Sequence, residues 1–300
     1  MLSPQPLPDF NENNHDHSGW RVLGGNKPRE LATVIPHPKL IPESPDLVAE
    51  TAQGPLASQP NPGEAGDGPS AEFLAELDAR NREFETSEPL EIIQWASATF
   101  GSTLTFATAF GPEGMVILFL VSQLEKRVHC FNLDTGYQFR ETLELREKVK
   151  QKYGIEVELR RPDSTVEEYE QQHGKLYLSN PGQCCHDRKI KVLHQAIEGK
   201  RGWISAIRRD QSPDRSQAPI VGWDAKFNLV KVNPLANWTK GQVWKTILDN
   251  EIPYNPLHDQ GYPSIGCQPC TRAIQIGEDE RAGRWSGSTK TECGLHSLDS

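Results

Sequence analysis

From Thr103 onward, short apolar runs rich in β-branched and aromatic residues alternate with longer amphipathic stretches, and this alternation constrains the fold more than any other feature. Thr103 to Thr108, Val128 to Asn132, Ile155 to Leu159 and Trp203 to Ile207 read as strands, with helical patterns between them. Strands separated by helix-length connections pair side by side in one direction, so the expected fold is α/β, a mostly parallel sheet with helices on both faces. Ligands of such sheets sit beyond the carboxyl ends of the strands. The segments to inspect are therefore Phe110-Gly111-Pro112-Glu113-Gly114, Asp134-Thr135-Gly136 and Arg208-Arg209-Asp210-Gln211-Ser212.

Upstream, Ser70 is placed to cap a helix carrying Phe73, Leu74 and Leu77. Leu90, Ile92, Ile93 and Trp95 mark a second, and the two are expected to pack as a pair. Residues 1–70 differ. They hold twelve of the 23 prolines, no cysteine, and four basic against nine acidic side chains. Stretches such as Gln59-Pro60-Asn61-Pro62-Gly63 cannot sustain helix or ladder hydrogen bonds. The expected organisation is a disordered Pro-rich arm over 1–70, a folded domain over 71–285 and a mobile tail over 286–300.

The formal net charge of −9 argues against a general nucleic-acid binder, which needs a basic surface to displace counterions. No apolar run is long enough to span a bilayer, and the first residues lack the basic flank and apolar block of a secretory signal. A cytoplasmic address is expected. In that setting six cysteines suggest metal or redox chemistry rather than a disulfide framework.

Cys184-Cys185 and Cys267-Gln268-Pro269-Cys270 supply four soft ligands, which suit zinc or an iron–sulfur cluster. Adjacent cysteines wrap a single zinc ion poorly, whereas neighbours can each reach a different iron of a cubane. Buried free thiols are the third alternative. Cys130 sits inside an apolar strand and reads as core. Cys293, in Glu292-Cys293-Gly294-Leu295-His296, is the candidate nucleophile, because it lacks an evident partner and follows the small, polar, hinge-like run Ser286 to Thr291.

Basic residues gather near the same chemistry: Arg188 and Lys189, Arg208 and Arg209, then Arg272, Arg281 and Arg284. In an acidic chain such a grouping can neutralise phosphate or sulfate and favour a thiolate, although surface solvation explains many basic residues. The Gly111 loop could offer backbone N–H groups to an anion, but it lacks the lysine and hydroxyl of a P-loop. Asp134-Thr135-Gly136 reads equally as a nucleotide contact or as a turn with a helix cap.

From about Leu90 to His296 these motifs resemble the assimilatory sulfonucleotide reductases, in particular the cluster-containing adenylyl-sulfate reductases that use thioredoxin. The resemblance rests on Leu133-Asp134-Thr135-Gly136, Cys184-Cys185 with Arg188-Lys189, Arg208 to Ser212, Pro253 to His258, Gly266 to Arg272, Gly283-Arg284-Trp285 and Glu292 to His296. It implies an adenine-nucleotide alpha-hydrolase-like sheet that binds adenosine 5′-phosphosulfate, with a 4Fe–4S cluster on Cys184, Cys185, Cys267 and Cys270. It further implies attack by Cys293 on sulfur, loss of AMP, and release of sulfite by thioredoxin or a glutaredoxin-like reductant from another protein. Substrate contacts are implied for Lys189, Arg209, Arg281, Arg284 and His296, with Gly111, Asp134 and Gly136 on the nucleotide. The cluster's implied role is electrostatic and structural.

Three departures from the family pattern stand out. Ala109 to Gly114 replaces the usual Ser-x-Gly-Ala-Glu-Asp, Val192 stands where proline is common, and the tail after Trp285 is slightly short. Two other functions remain open: a reductase of the 3′-phosphorylated nucleotide, or of both, and a non-catalytic iron–sulfur nucleotide sensor. Homo-oligomerisation is also left open.

Overall fold

The computed structural model describes Leu56, residues 68–290, Glu292, Gly294 and Leu295. The first helix, α1 (Ala71–Phe84), begins where the sequence places it, with the Ser70 hydroxyl accepting from the Phe73 N–H at 3.2 Å. Such a cap contributes about 1 kcal/mol. Next, α2 (Pro89–Phe100) opens on a proline and on a Glu88 N–H that donates to Glu91, and it stops at Gly101, whose φ is positive. The two helices meet where Phe84 and Trp95 stack edge-on at 5.1 Å. Leu56, inside the stretch assigned to the arm, is buried in the core, while the rest of residues 1–67 lies outside the described residues.

Six strands form one sheet: β1 (Leu104–Ala107), β2 (His129–Leu133), β3 (Val157–Arg160), β4 (Gly202–Ile204), β5 (Val221–Asp224) and β6 (Leu229–Val232). Their order is β3-β2-β1-β4-β6-β5, and every neighbouring pair is parallel except β5 with β6. This matches the expected mostly parallel sheet and adds an antiparallel edge hairpin. Gly222, Asp224 and Lys231 break that hairpin's apolar pattern, which is why its strands do not stand out in the sequence.

Alternation along the strands divides the core in two. Leu104, Phe106, Cys130, Ile204 and Val230 face one side, together with α1, α2, α3 (Pro112–Val121) and α9 (Lys240–Asp249). Phe131, Trp203 and Leu229 face the other, against Leu193 and Ala196 of α8 (Lys191–Ala196). The connection from β2 to β3 runs through α4 (Arg140–Tyr153), ended by the left-handed Gly154. Between β3 and β4 lie α5 (Val166–His173), α6 (Leu176–Ser179), α7 (Pro181–Cys185) and α8. No helix among the described residues is long and apolar enough to cross a membrane.

Strand order reverses between β1 and β4, so the chain leaves their carboxyl ends in opposite directions and opens a crevice there. Packing beneath it is tight. A Cβ on Gly202 would lie 2.7 Å from the Phe100 ring, closer than any real side-chain contact. Gly202→Ala should therefore lower stability by about 1–3 kcal/mol, read as an earlier midpoint in urea unfolding, because the ring has a helix behind it.

Candidate active site

A cavity of ≈ 230 Å³ occupies this crevice. Its floor is the ends of β1, β2 and β4: Ala107 and Thr108, Asn132 and Leu133, and Ala206 to Arg208. One wall is the start of α3. There the Thr108 hydroxyl accepts from the N–H of Phe110, whose φ is +55°, and this turn aims Gly111 at the cavity. Gly114 fits because its Cα approaches Thr108 closely, and a Cβ would lie 2.8 Å from the hydroxyl oxygen. The departure from the family loop is thus accommodated by small residues against Thr108.

The opposite wall comes from the C-terminal third, where Ser264 to Cys267, Arg281, Arg284 and Trp285 line the cavity. Five cationic side chains reach it: Lys189, Arg208, Arg215, Arg281 and Arg284. Arg284 lies over the Trp285 ring at 4.5 Å and donates to the Ser264 hydroxyl, while its buried Nε finds no acceptor among the described residues. Gly266 leaves room for that guanidinium, since a Cβ there would lie 2.2 Å from Nη2. An anion is the natural complement of such a wall.

The expected site residues divide. Lys189, Arg281, Arg284 and Gly111 line the cavity. Asp134, Gly136 and Arg209 do not. The buried Asp134 carboxylate accepts from the Gly136 N–H at 3.0 Å and from Arg161 at 2.8 Å, and Gly136 packs against Val166 at a positive φ. These two residues form a turn that sets Thr135 3.3 Å from the Cys267 sulfur. Arg209 turns away to bond both Glu85 oxygens, at 2.9 and 2.7 Å, together with Asn237 and the Ala218 carbonyl. Its neighbour Arg208 is the one that enters the cavity wall, paired with Glu113 at 2.8 Å and with Asp210. Arg215 and Glu292 were not singled out in the sequence. The signal lay in their positions, three residues after Ser212 and directly before Cys293. Cys293 and His296 lie outside the described residues.

The four paired cysteines line one narrow cleft beside the cavity. After α7, a turn of wide π-type hydrogen bonding, His186–Ile190, carries Arg188 and Lys189 round beneath Cys184 and Cys185. Buried Arg188 donates to the carbonyls of Thr135, Ser164 and Thr165 and lies over the rings of Tyr137 and Tyr169, so it braces the cleft. From the other side, the Gln268 N–H donates to the Tyr137 carbonyl at 2.7 Å, which brings Cys267 and Cys270 across.

Burial, then the neighbouring sulfurs, pushes the Cys184 thiol up to about 12 and the Cys270 thiol to about 11. Burial opposes ionisation of Cys267 as well, yet Lys189, the Thr135 hydroxyl and Arg284 together bring it below the ordinary thiol value. Four thiolates so close repel one another, and a multivalent cation relieves that repulsion. Among the described residues no three Cys, His, Asp or Glu side chains converge on a single-ion position. The chemistry of the donor set, four cysteine sulfurs lining one cleft, is that of a soft-metal site. Cys130 lies in the core as expected, its thiol raised to about 12 by burial. None of the five described cysteines is in a disulfide.

A parallel sheet with a cation-lined cavity at its switch point, beside converging thiols, defines an α/β protein built to hold an anionic ligand. Residues 103–273 match the phosphoadenosine phosphosulfate reductase domain. The adenosine 5′-phosphosulfate reductase of Oceanobacillus iheyensis is 46% identical over 217 residues, covering 72% of this chain and 90% of that protein. Adenosine 5′-phosphosulfate reductase 1 of Bacillus subtilis is 46% identical over 209 residues, 69% of this chain and 90% of its own. The solved phosphoadenylyl-sulfate reductase of Candida auris, a phosphate complex, superposes with a TM-score of 0.60 at 29% identity, covering 70% of this chain and 100% of that one. The chain belongs to the phosphoadenosine phosphosulfate reductase family.

Because Arg188 satisfies three backbone carbonyls at once, lysine cannot replace it. Arg188→Lys should cost about 2–3 kcal/mol, measured as a lower urea midpoint.

Proposed function

We propose that this chain is an assimilatory adenylyl-sulfate reductase that takes adenosine 5′-phosphosulfate to sulfite and AMP, with electrons from thioredoxin or a similar dithiol. The observation that carries the reading is the cavity itself: five cations and a helix start meet at the switch point of a sheet whose family reduces sulfonucleotides. The nucleoside fits against the ends of β1 and β2. The phosphosulfate then lies along Lys189, Arg281 and Arg284, where charge-assisted hydrogen bonds stabilise the negative charge that gathers on the leaving phosphate.

In the chemistry that follows, the Cys293 thiolate attacks the sulfur of the sulfate group. An S–S bond forms, the bond from sulfur to the bridging oxygen breaks, and AMP leaves with the electron pair. The enzyme is left as a Cys293 thiosulfonate. A thiolate of the external dithiol then attacks Cys293 Sγ, and sulfite departs with the S–S pair. The second thiol of that partner resolves the mixed disulfide, so the partner is oxidised by two electrons and Cys293 is regenerated. His296 is assigned as a further substrate contact.

Cys184, Cys185, Cys267 and Cys270 are the residues that would hold a 4Fe–4S cluster. When bound it supplies electrostatic and structural support through Lys189, which borders both the thiol cleft and the cavity. Both electrons come from the dithiol. The unphosphorylated nucleotide is preferred in this reading because relatives at 46% identity carry that name, whereas the phosphoadenylyl-sulfate reductase stands at 29%.

Mass spectrometry after addition of adenosine 5′-phosphosulfate without reductant should find a sulfonate on Cys293 and on no other cysteine. Cys293→Ser should lose sulfite release entirely and keep the visible absorbance of the cluster. Turnover in that variant would defeat the mechanism, whereas absence of turnover in the wild type would favour a sensor. In competition kinetics the unphosphorylated nucleotide should win by at least tenfold, and parity would make the enzyme dual in specificity.

A further inference from the structure

Three residues around the proposed nucleophile are anchored to the domain by separate contacts. Glu292 is buried in the cavity wall, its side chain only 7% exposed. Arg215 grips its carboxylate with two parallel bonds, Nε to Oε1 at 3.0 Å and Nη2 to Oε2 at 2.9 Å. Arg281 adds a third contact, from Nη2 to Oε2 at 3.2 Å. Past residue 293, the Gly294 carbonyl accepts from Lys226 at 2.6 Å, and Leu295 packs against the core cluster that includes Trp203 and Phe227. The anchors come from four regions of the chain: β4, the turn Pro213–Arg215 after it, the turn of the β5–β6 hairpin, and the segment after Cys270.

Resting on the reading of Cys293 as the nucleophile, we propose that Glu292 is a positioning residue for the attack on sulfur. Its carboxylate, held by Arg215 and Arg281, fixes the chain one residue before Cys293, and Lys226 with the core cluster that includes Trp203 and Phe227 fixes it one and two residues after. A bidentate guanidinium–carboxylate pair defines direction as well as distance, which a hinged tail otherwise lacks. A different role for Glu292 is that of a placeholder, occupying the arginines until substrate oxyanions displace it. The downstream anchors at Gly294 and Leu295 favour positioning, since a placeholder needs the carboxylate alone.

The test uses the full chain with its cluster and compares wild type, Glu292→Gln, Glu292→Asp and Lys226→Met. With adenosine 5′-phosphosulfate and no reductant, the rate of sulfonate formation on Cys293 is followed by intact mass. AMP affinity is measured separately, and alkylation of Cys293 by iodoacetamide is followed without nucleotide. Glu292→Gln should slow adduct formation tenfold or more, leave AMP affinity within twofold and speed alkylation. Glu292→Asp should recover part of the rate. Lys226→Met, from outside the cavity, should produce the same pattern more weakly, and it remains informative if the Glu292 variants fold poorly.

An unchanged adduct rate would overturn the proposal, as would a loss matched by an equal loss of AMP affinity. Faster adduct formation with tighter AMP binding would identify the placeholder instead. If wild type forms no adduct at all, the reading of Cys293 as nucleophile fails. The alkylation rates then still decide whether Glu292 anchors the tail, because unchanged alkylation in Glu292→Gln and Lys226→Met removes the anchor.

Discussion

Parallel pairing of β1 with both β2 and β4 creates the crevice on which the site depends. The registers place Ala107 opposite Phe131 and Phe106 opposite Ile204, so the three strands end at nearly the same level. Polar bonds continue past the strand ends. Thr108 N–H donates to the Phe131 carbonyl, Asn132 Nδ2 donates to the Thr108 carbonyl at 2.8 Å, and Ser205 N–H donates to the Val232 carbonyl. These bonds satisfy backbone groups that would otherwise be stranded at the base of a cavity, and they hold the rim loops rigid before a ligand arrives. The walls supplied by α3 and by the C-terminal third are built on that rim.

Charge is distributed unevenly over this frame. A chain of net charge −9 concentrates five cations around one cavity, and carboxylates moderate most of them. Glu113 and Asp210 hold Arg208, and Glu292 sits between Arg215 and Arg281. On the side nearest the cysteines the pattern changes. Arg284 is held by a hydroxyl and a carbonyl, and Lys189 bears on Cys267. Lys189 and Arg284 each line both the cavity and the thiol cleft, so positive charge stands between the two. In the proposed reading, a ligand oxyanion in the cavity and the sulfurs in the cleft would draw on that same charge.

The sequence reveals the parts of this design that have local causes. The Ser70 cap, the strands from β1 to β4 and the spacing within each cysteine pair follow from neighbours a few positions apart. What it conceals depends on direction or on distance. Arg208 and Arg209 are adjacent and chemically alike, yet one enters the cavity wall and the other grips Glu85, because consecutive residues here point to opposite sides. Asp134-Thr135-Gly136 has the composition of either a ligand loop or a turn. In the structure Arg161 and the Gly136 N–H take up the carboxylate, and neither Asp134 nor Gly136 lines the cavity. Arg215 and Glu292 pair across 77 positions, a contact with no local trace at all.

The edge hairpin shows why such long-range features belong to the function as much as to the fold. Its outer strand would expose unpaired N–H groups, but Asn81 of α1 accepts from Ile220 and Val221 at 2.7 and 3.2 Å, and Phe73 packs on Trp223. Held in this way from the N-terminal side, the hairpin carries Lys226 and Phe227 out on its turn, where Lys226 bonds Gly294 and Phe227 belongs to the cluster against which Leu295 packs. A free edge would let that turn wander, and the tail contacts would wander with it. The helix α1, remote from the cavity in sequence, thus stiffens the surface on which the residues around Cys293 are anchored. The extra antiparallel pair thus joins α1 to the tail through Asn81 at one end and Lys226 at the other.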